Sequence, residues 1–251
     1  MESNQYLYLK QYEKAKVLLE EAIRLRRSIP GFKSVASANA LDTLAQAYSR
    51  TGNLEEAKKA EAEALVTYEG LKKTDTADYA IALSNHANTL RAMKQYKEAE
   101  QFFAKAVTAQ QKIDKGDSIE LAKILLNAGG MYCDMNKLDS AKRLLDRAFK
   151  IVRSNLKPEH PLYKLSVKSE RVLYKKKADS LLKADANPYR QDVAIAVGKL
   201  AELYEDEGDN SQALAAYKQA IEIREKLNPD SPELAKLRQR YNDCHNKLSA
   251  H

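Results

Sequence analysis

Nucleophilic, redox or metal chemistry in this chain would have to rest on four histidines, His86, His160, His245 and His251, and on two cysteines, Cys133 and Cys244. Their spacing assembles no site. The cysteines form neither a CxxC pair nor a metal-ligand pattern, and they read as ordinary thiols of a reducing compartment. Cys244 and His245 adjoin, but neighbours along a helix point in different directions. His160 precedes Pro161 and reads as a helix-start residue. No P-loop, GxSxG, HExxH or GxGxxG pattern is present. Gly129-Gly130 falls inside a helical pattern, where close packing accounts for Gly129 without a phosphate loop. The carboxylate pairs Glu55-Glu56 and Glu61-Glu63 read as solvated surface. The expectation is a protein that is not an enzyme and that carries no cofactor and no metal.

Charge gives a second kind of chemistry. The 42 Lys and Arg outnumber the 35 Asp and Glu, for a net charge of +7. The excess concentrates in Lys164, Lys168, Arg171, Lys175, Lys176, Lys177 and Lys183, offset by Glu170 and Asp179. This run has two readings. It attracts acidic peptide, phosphate or nucleic acid, or it is a solvated helix face. Base stacking would favour interleaved aromatics, and only Tyr163 and Tyr174 are there.

The elements that position these residues are helical and repeated. Hydrophobic content is 44%, with 8 Gly and 6 Pro, a composition suited to a folded chain rich in helix formers. No apolar stretch approaches the roughly 18 residues of a membrane span, and Met1 to Lys10 lacks a signal-peptide core. A cytoplasmic location is therefore expected. Ala15 and Ala22 are followed at a spacing of 42 residues by Ala57 and Ala64, Ala99 and Ala106, and Ala141 and Ala148; Ala213 and Ala220 come 72 residues later. Such self-similarity marks stacked repeats. Each copy reads as two helices. In the first, Leu41, Leu44, Ala45 and Tyr48 fall at helical spacing. A turn follows at Arg50-Thr51-Gly52-Asn53, where Gly52 suits a left-handed helix end. The second helix starts near Leu54. The turn slot is then Lys94, Asn136 and Gly208 in later copies. His86 occupies a slot that is Leu44, Ala128 or Leu200 elsewhere and reads as a buried, hydrogen-bonded histidine.

Leu41-Asp42-Thr43-Leu44-Ala45-Gln46-Ala47-Tyr48, with Gly52, Leu54, Ala57 and Ala64, resembles a tetratricopeptide repeat. That family's usual period is 34 residues, and the eight extra residues here amount to about two helical turns. The longer form resembles the repeats of kinesin light chains, as do Leu156-Lys157-Pro158-Glu159-His160-Pro161 and the stretches Leu83-Ser84-Asn85-His86-Ala87 and Leu125-Leu126-Asn127-Ala128-Gly129. The resemblance implies an all-α, right-handed superhelical solenoid of antiparallel helix pairs. The expected organisation is one solenoid over 1–251: a partial repeat at 1–30, full repeats at 31–72, 73–114 and 115–156, a degenerate basic unit at 157–187, a full repeat at 188–228, and a capping helix at 229–251. In the basic unit one long helix is expected, about Pro161 to Ala184, either as repeat decay or as a kink that presents the lysines. At the start, Tyr6, Leu7, Tyr8 and Leu9 read as half of a first helix, which suggests a piece of a longer protein.

In this family the first helices line a concave face, and their inward positions bind. Here these fall at Thr43, Gln46 and Arg50; Asn85, Asn88 and Arg91; Asn127, Gly130 and Asp134; Lys168, Val172 and Lys175; and Lys199, Glu202 and Glu205. Asn85 and Asn127 match the family's asparagines, which hold a ligand's main chain. An amide offers both a donor and an acceptor. Arg50, Arg91, Lys168 and Lys175 would add attraction for acidic residues. Glu202, Glu205 and Asp206 would make one end of the groove acidic, so that a peptide of mixed charge is oriented. The expected function is a scaffold that binds an extended peptide or partner protein, including one with acidic residues. Two rivals stand beside it: nucleic-acid or phosphate binding through 164–183, and a regulatory or sensor module of a longer enzyme chain.

Overall fold

The structure, a computed structural model, describes residues 12–28, 33–114, 116–185 and 187–249. The stretches Tyr6 to Leu9 and Pro30-Gly31 lie outside the described residues. Among those described, eleven α-helices and no strand are found: α1 (Tyr12–Arg27), α2 (Val35–Arg50), α3 (Leu54–Gly70), α4 (Ala77–Ala92), α5 (Tyr96–Ile113), α6 (Ile119–Asp134), α7 (Leu138–Asn155), α8 (Pro161–Ala184), α9 (Gln191–Asp206), α10 (Asn210–Leu227) and α11 (Pro232–Ser249). No described helix is long and apolar enough to cross a membrane.

The chain divides into two units, Met1–Ala128 and Gly129–His251, with the division inside α6. In the first unit α2 pairs with α3 and α4 with α5, while α1 packs on α2 and α3 on α4. The repeated alanines are the reason. Ala15, Ala57, Ala64, Ala99 and Ala106 are fully buried, as are Ala45 and Ala87 of the facing first helices. A methyl group at each crossing lets the backbones approach, and Tyr68 and Phe103 fill the space beside them. In the second unit α7 packs on α8, α8 on α9, α9 on α10 and α10 on α11, around Ala141, Leu145, Leu173, Ala201, Ala213, Tyr217 and Leu234. Gly129 belongs to this core. A β-carbon there would stand 2.6 Å from the Leu145 side chain, so the close packing that its sequence position suggests is present.

The turns repeat as closely as the helices do. Gly52, Lys94, Asn136 and Gly208 all adopt positive φ, between 56 and 84°. The amide of each following residue reaches back to the carbonyl five residues earlier, as in Asn53 to Tyr48 (2.9 Å) and Gln95 to Leu90 (2.8 Å). This pattern, with a second bond from the left-handed residue itself, satisfies helix-end carbonyls that would otherwise lack partners. Helix starts are closed by side chains. Ser34 and Ser37 form a reciprocal capping box on α2, and Thr76 caps α4. His160 accepts from the Leu162 amide (3.1 Å) with Pro161 in the first helical turn, so the basic segment runs as one 24-residue helix, α8.

Candidate functional site

Within the first unit the first helices of successive pairs bring their polar slots to one groove. It encloses about 380 Å³ and is lined by Gln46, Ser49 and Arg50 of α2, by Asn85, Asn88 and Thr89 of α4, and by Asn127 of α6, with Glu61 of α3 beneath them. Gln46, Arg50, Asn85, Asn88 and Asn127 thus share one surface. Arg91 commits an Nη1 hydrogen to the backbone carbonyl of Asn127 (3.4 Å), which ties α4 to α6. Arg50 is exposed, with its guanidinium 5.9 Å from the Tyr12 ring centre. Thr43 bonds back to the Asn39 carbonyl of its own helix.

Two carboxylates underlie this groove, and sequence reasoning missed both. Asp42 is 9% exposed. Its oxygens accept from Asn85 Nδ2 at 3.1 and 2.9 Å and from Gln46 Nε2 at 3.0 Å. Burial pushes its pKa above the usual carboxylate range and the Asp78 charge adds to this, against the two amides that favour the ionised form. Glu61, expected on the solvated surface, is instead 1% exposed. It lies 3.1 Å from His86 Nδ1 and accepts from the Thr89 hydroxyl at 2.8 Å. Its pKa too is raised, by burial first and by the Asp42 charge last, with His86 and Thr89 opposing. His86 packs edge-on against Phe102. It is the buried, hydrogen-bonded histidine expected of its slot.

The signal for Glu61 lay in the register. Counting by the repeat, its slot holds Phe103, Leu145 and Tyr217 in other copies, all of them buried. A charge in a slot otherwise filled by large apolar side chains needs a buried partner. His86, equally out of place in its own slot, is that partner. Asp42 carries the same mark more faintly, since its slot is Ser84 and then Leu126, both buried.

The second unit places its site residues differently. Lys168 and Lys175 are exposed on α8. Strict counting from Asn127 and Asp134 lands on Ser169 and Lys176, and Lys176 donates to the Cys133 carbonyl (2.9 Å). Val172 is half-buried. Lys199 lies 3.8 Å from Glu170 and 3.4 Å from Glu202, while Glu170, 4% exposed, also pairs with Arg153 at 3.0 Å. The acidic groove end expected at Glu202 and Glu205 is neutralised by the last helix. Arg240 reaches Glu202 (2.9 Å) and Glu205 (3.0 Å), Lys247 reaches Glu205 (3.1 Å), and the Tyr217 hydroxyl donates to Glu205 (2.8 Å). Burial alone would raise Glu205, but the Tyr217 and Lys247 hydrogen bonds and the Arg240 charge hold it below its usual value. Of the two aromatic residues in the basic run, Tyr174 is buried and Tyr163 half-buried, so α8 presents its lysines without exposed stacking rings. Cys133 and Cys244 are both buried, and burial pushes the Cys244 thiol up. Among the described residues no group of three His, Cys, Asp or Glu could hold a metal ion.

Tetratricopeptide repeat models match residues 3–69, 78–163 and 195–227. The chain belongs to the tetratricopeptide repeat family. Solved tetratricopeptide-like structures share its fold. BtubC (BKLC) from P. vanneervenii is 19% identical over 92% of this chain and 80% of its own, with a TM-score of 0.57. A kinesin light chain protein of P. anserina with nearly identical repeats is 17% identical over 90% of this chain and 93% of its own, at 0.56. A Rap protein complexed with Competence and Sporulation Factor is 13% identical over 99% of this chain and 74% of its own, at 0.61. At these identities the likeness establishes the fold. Comparison with curated protein sequences finds no match.

Proposed function

We propose that the chain is a non-enzymatic protein-interaction scaffold whose first-unit groove holds an extended peptide or a segment of a partner protein. One observation carries this reading: Gln46, Asn85, Asn88 and Asn127, from three successive first helices, line a single groove. Amides at such intervals pair with a ligand's main chain without demanding a particular side chain. The complex of a Rap protein of similar fold with Competence and Sporulation Factor supports the reading by analogy of architecture. Attraction for acidic residues within this groove rests on Arg50, because Lys168 and Lys175 stand in the other unit.

The test is selection of phage-displayed random dodecapeptides on the whole protein and on an Asn88→Ala/Asn127→Ala variant. These two asparagines are chosen because Asn85 is tied to Asp42, and replacing it would perturb the core as well as the groove. The wild type enriches a peptide family that the variant no longer captures, at unchanged melting temperature. Equal enrichment by both proteins would remove the groove from consideration.

A further inference from the structure

Hydrogen positions around the groove floor follow from the acceptors buried beneath it. Thr89 has a single hydroxyl proton, and it goes to Glu61 Oε1 at 2.8 Å. The Ser49 and Thr89 hydroxyls lie 3.1 Å apart. With the Thr89 proton committed, Ser49 is the donor in that contact, and its own proton is committed as well. A hydroxyl in this state offers only lone pairs to a third group. The amides follow the same logic. Asn85 Nδ2 faces both oxygens of Asp42, and Gln46 Nε2 faces one of them. Reversing either amide would set a carbonyl oxygen against a carboxylate, so the nitrogens point inward and the oxygens away. Three groove-lining side chains, Gln46, Ser49 and Asn85, are thereby turned with an acceptor outward by two buried carboxylates, Ser49 through the buried Thr89 hydroxyl.

We propose that Asp42 and Glu61 are positioning residues that fix the hydrogen-bond polarity of the α2–α4 floor, making it a subsite for a donor-rich cationic side chain, lysine or arginine, of the bound peptide. This deepens the peptide-binding reading and rests on it. Three outward acceptors suit a guanidinium or an ammonium, which carry donors and no acceptor. The charges agree. Asp42 and Glu61 lie beneath the site, and Asp78 is close enough to act on Asp42, against Arg50 at the edge. The cation-reading floor and the adaptable amides of Asn88 and Asn127 thus divide the work, one selecting a side chain and the other holding the main chain.

The experiment compares the wild-type protein with the isosteric variant Asp42→Asn/Glu61→Gln by NMR of labelled side-chain amides. N-methylguanidinium and acetate are titrated at matched ionic strength. The expected result is saturable shifts of the Asn85 and Gln46 amide resonances with methylguanidinium and none with acetate, and affinity for methylguanidinium about tenfold weaker in the variant. Thermal unfolding verifies that the variant is folded. Shifts with acetate, no shifts with methylguanidinium, or an unchanged affinity for methylguanidinium in the variant would overturn the assignment. The peptide selection separates the two readings. Wild type that enriches peptides without a fixed Lys or Arg keeps the groove and discards the subsite. Loss of that fixed residue in Asp42→Asn/Glu61→Gln, with peptide capture retained, supports both.

Discussion

Replacing His86 with Leu, the residue of its slot in two other copies, strands Glu61 in the core. The cost can be worked out. Glu61 keeps its bond from Thr89 but loses its imidazole partner, and at 1% exposure the least costly escape is to take a proton. Relative to an unfolded-state carboxyl at the ordinary value of 4.5, neutralisation at pH 7 costs about 3.4 kcal/mol, at 1.36 kcal/mol per pH unit. At pH 5 the same step costs about 0.7 kcal/mol. The sign follows from the raised folded pKa: the stability is present below the unfolded value and is lost as pH rises. The reference is Glu61→Leu/His86→Leu, which differs only in lacking the carboxyl. Urea unfolding at both pH values, followed by hydrogen exchange of α3 and α4 amides, reads the gap between the two variants. It should narrow by about 2.7 kcal/mol from pH 7 to pH 5. The double variant should match the wild type or exceed it by about 1–4 kcal/mol, as when well-packed apolar residues replace a buried polar pair. A gap independent of pH, or a double variant as unstable as His86→Leu, would refute the reasoning.

Other outcomes follow from the same geometry. Asn85→Ala removes the amide that faces both Asp42 oxygens and should cost about 1–3 kcal/mol, whereas Asn127→Ala should stay within about 0.5 kcal/mol; thermal melts compare them. Gly129→Ala drives a methyl into Leu145 and should cost about 1–3 kcal/mol, with Leu145→Ala in the same chain recovering part of the loss in urea unfolding. Lys94→Gly relieves a side chain held at φ 61° and should stabilise by about 1 kcal/mol, seen as a raised midpoint.

The architecture was legible wherever the repeat imposes one residue type on one slot. Small alanines at the crossings and a left-handed residue at each turn announce helix pairs, because few other residues fit there. The groove was legible to the same extent: Gln46, Asn85, Asn88 and Asn127 come together because the period carries one face of each first helix to the same side. Glu61 was not, because a lone glutamate among Glu55, Glu56 and Glu63 looks like surface until it is compared with Phe103 and Leu145. The acidic end at Glu202 and Glu205 was misjudged for another reason. Its neutralisation by Arg240 and Lys247 is tertiary, made by a helix that does not belong to the repeat. The in-register residues of α8 were blurred by a lysine at nearly every turn.

The Glu61–His86 contact also bears on how an array of near-identical parts finds its order. An α3 bearing a carboxylate at its packing slot is satisfied by the helix that carries His86. Against a first helix with Ala128 or Leu200 in that place, the same carboxylate would be buried without its imidazole partner. An apolar version of the slot would accept any of these neighbours. The pair therefore works as an address. It makes the second helix of one repeat distinguish its true successor from look-alikes further along the chain, and so guards the folding chain against stacking its repeats out of sequence.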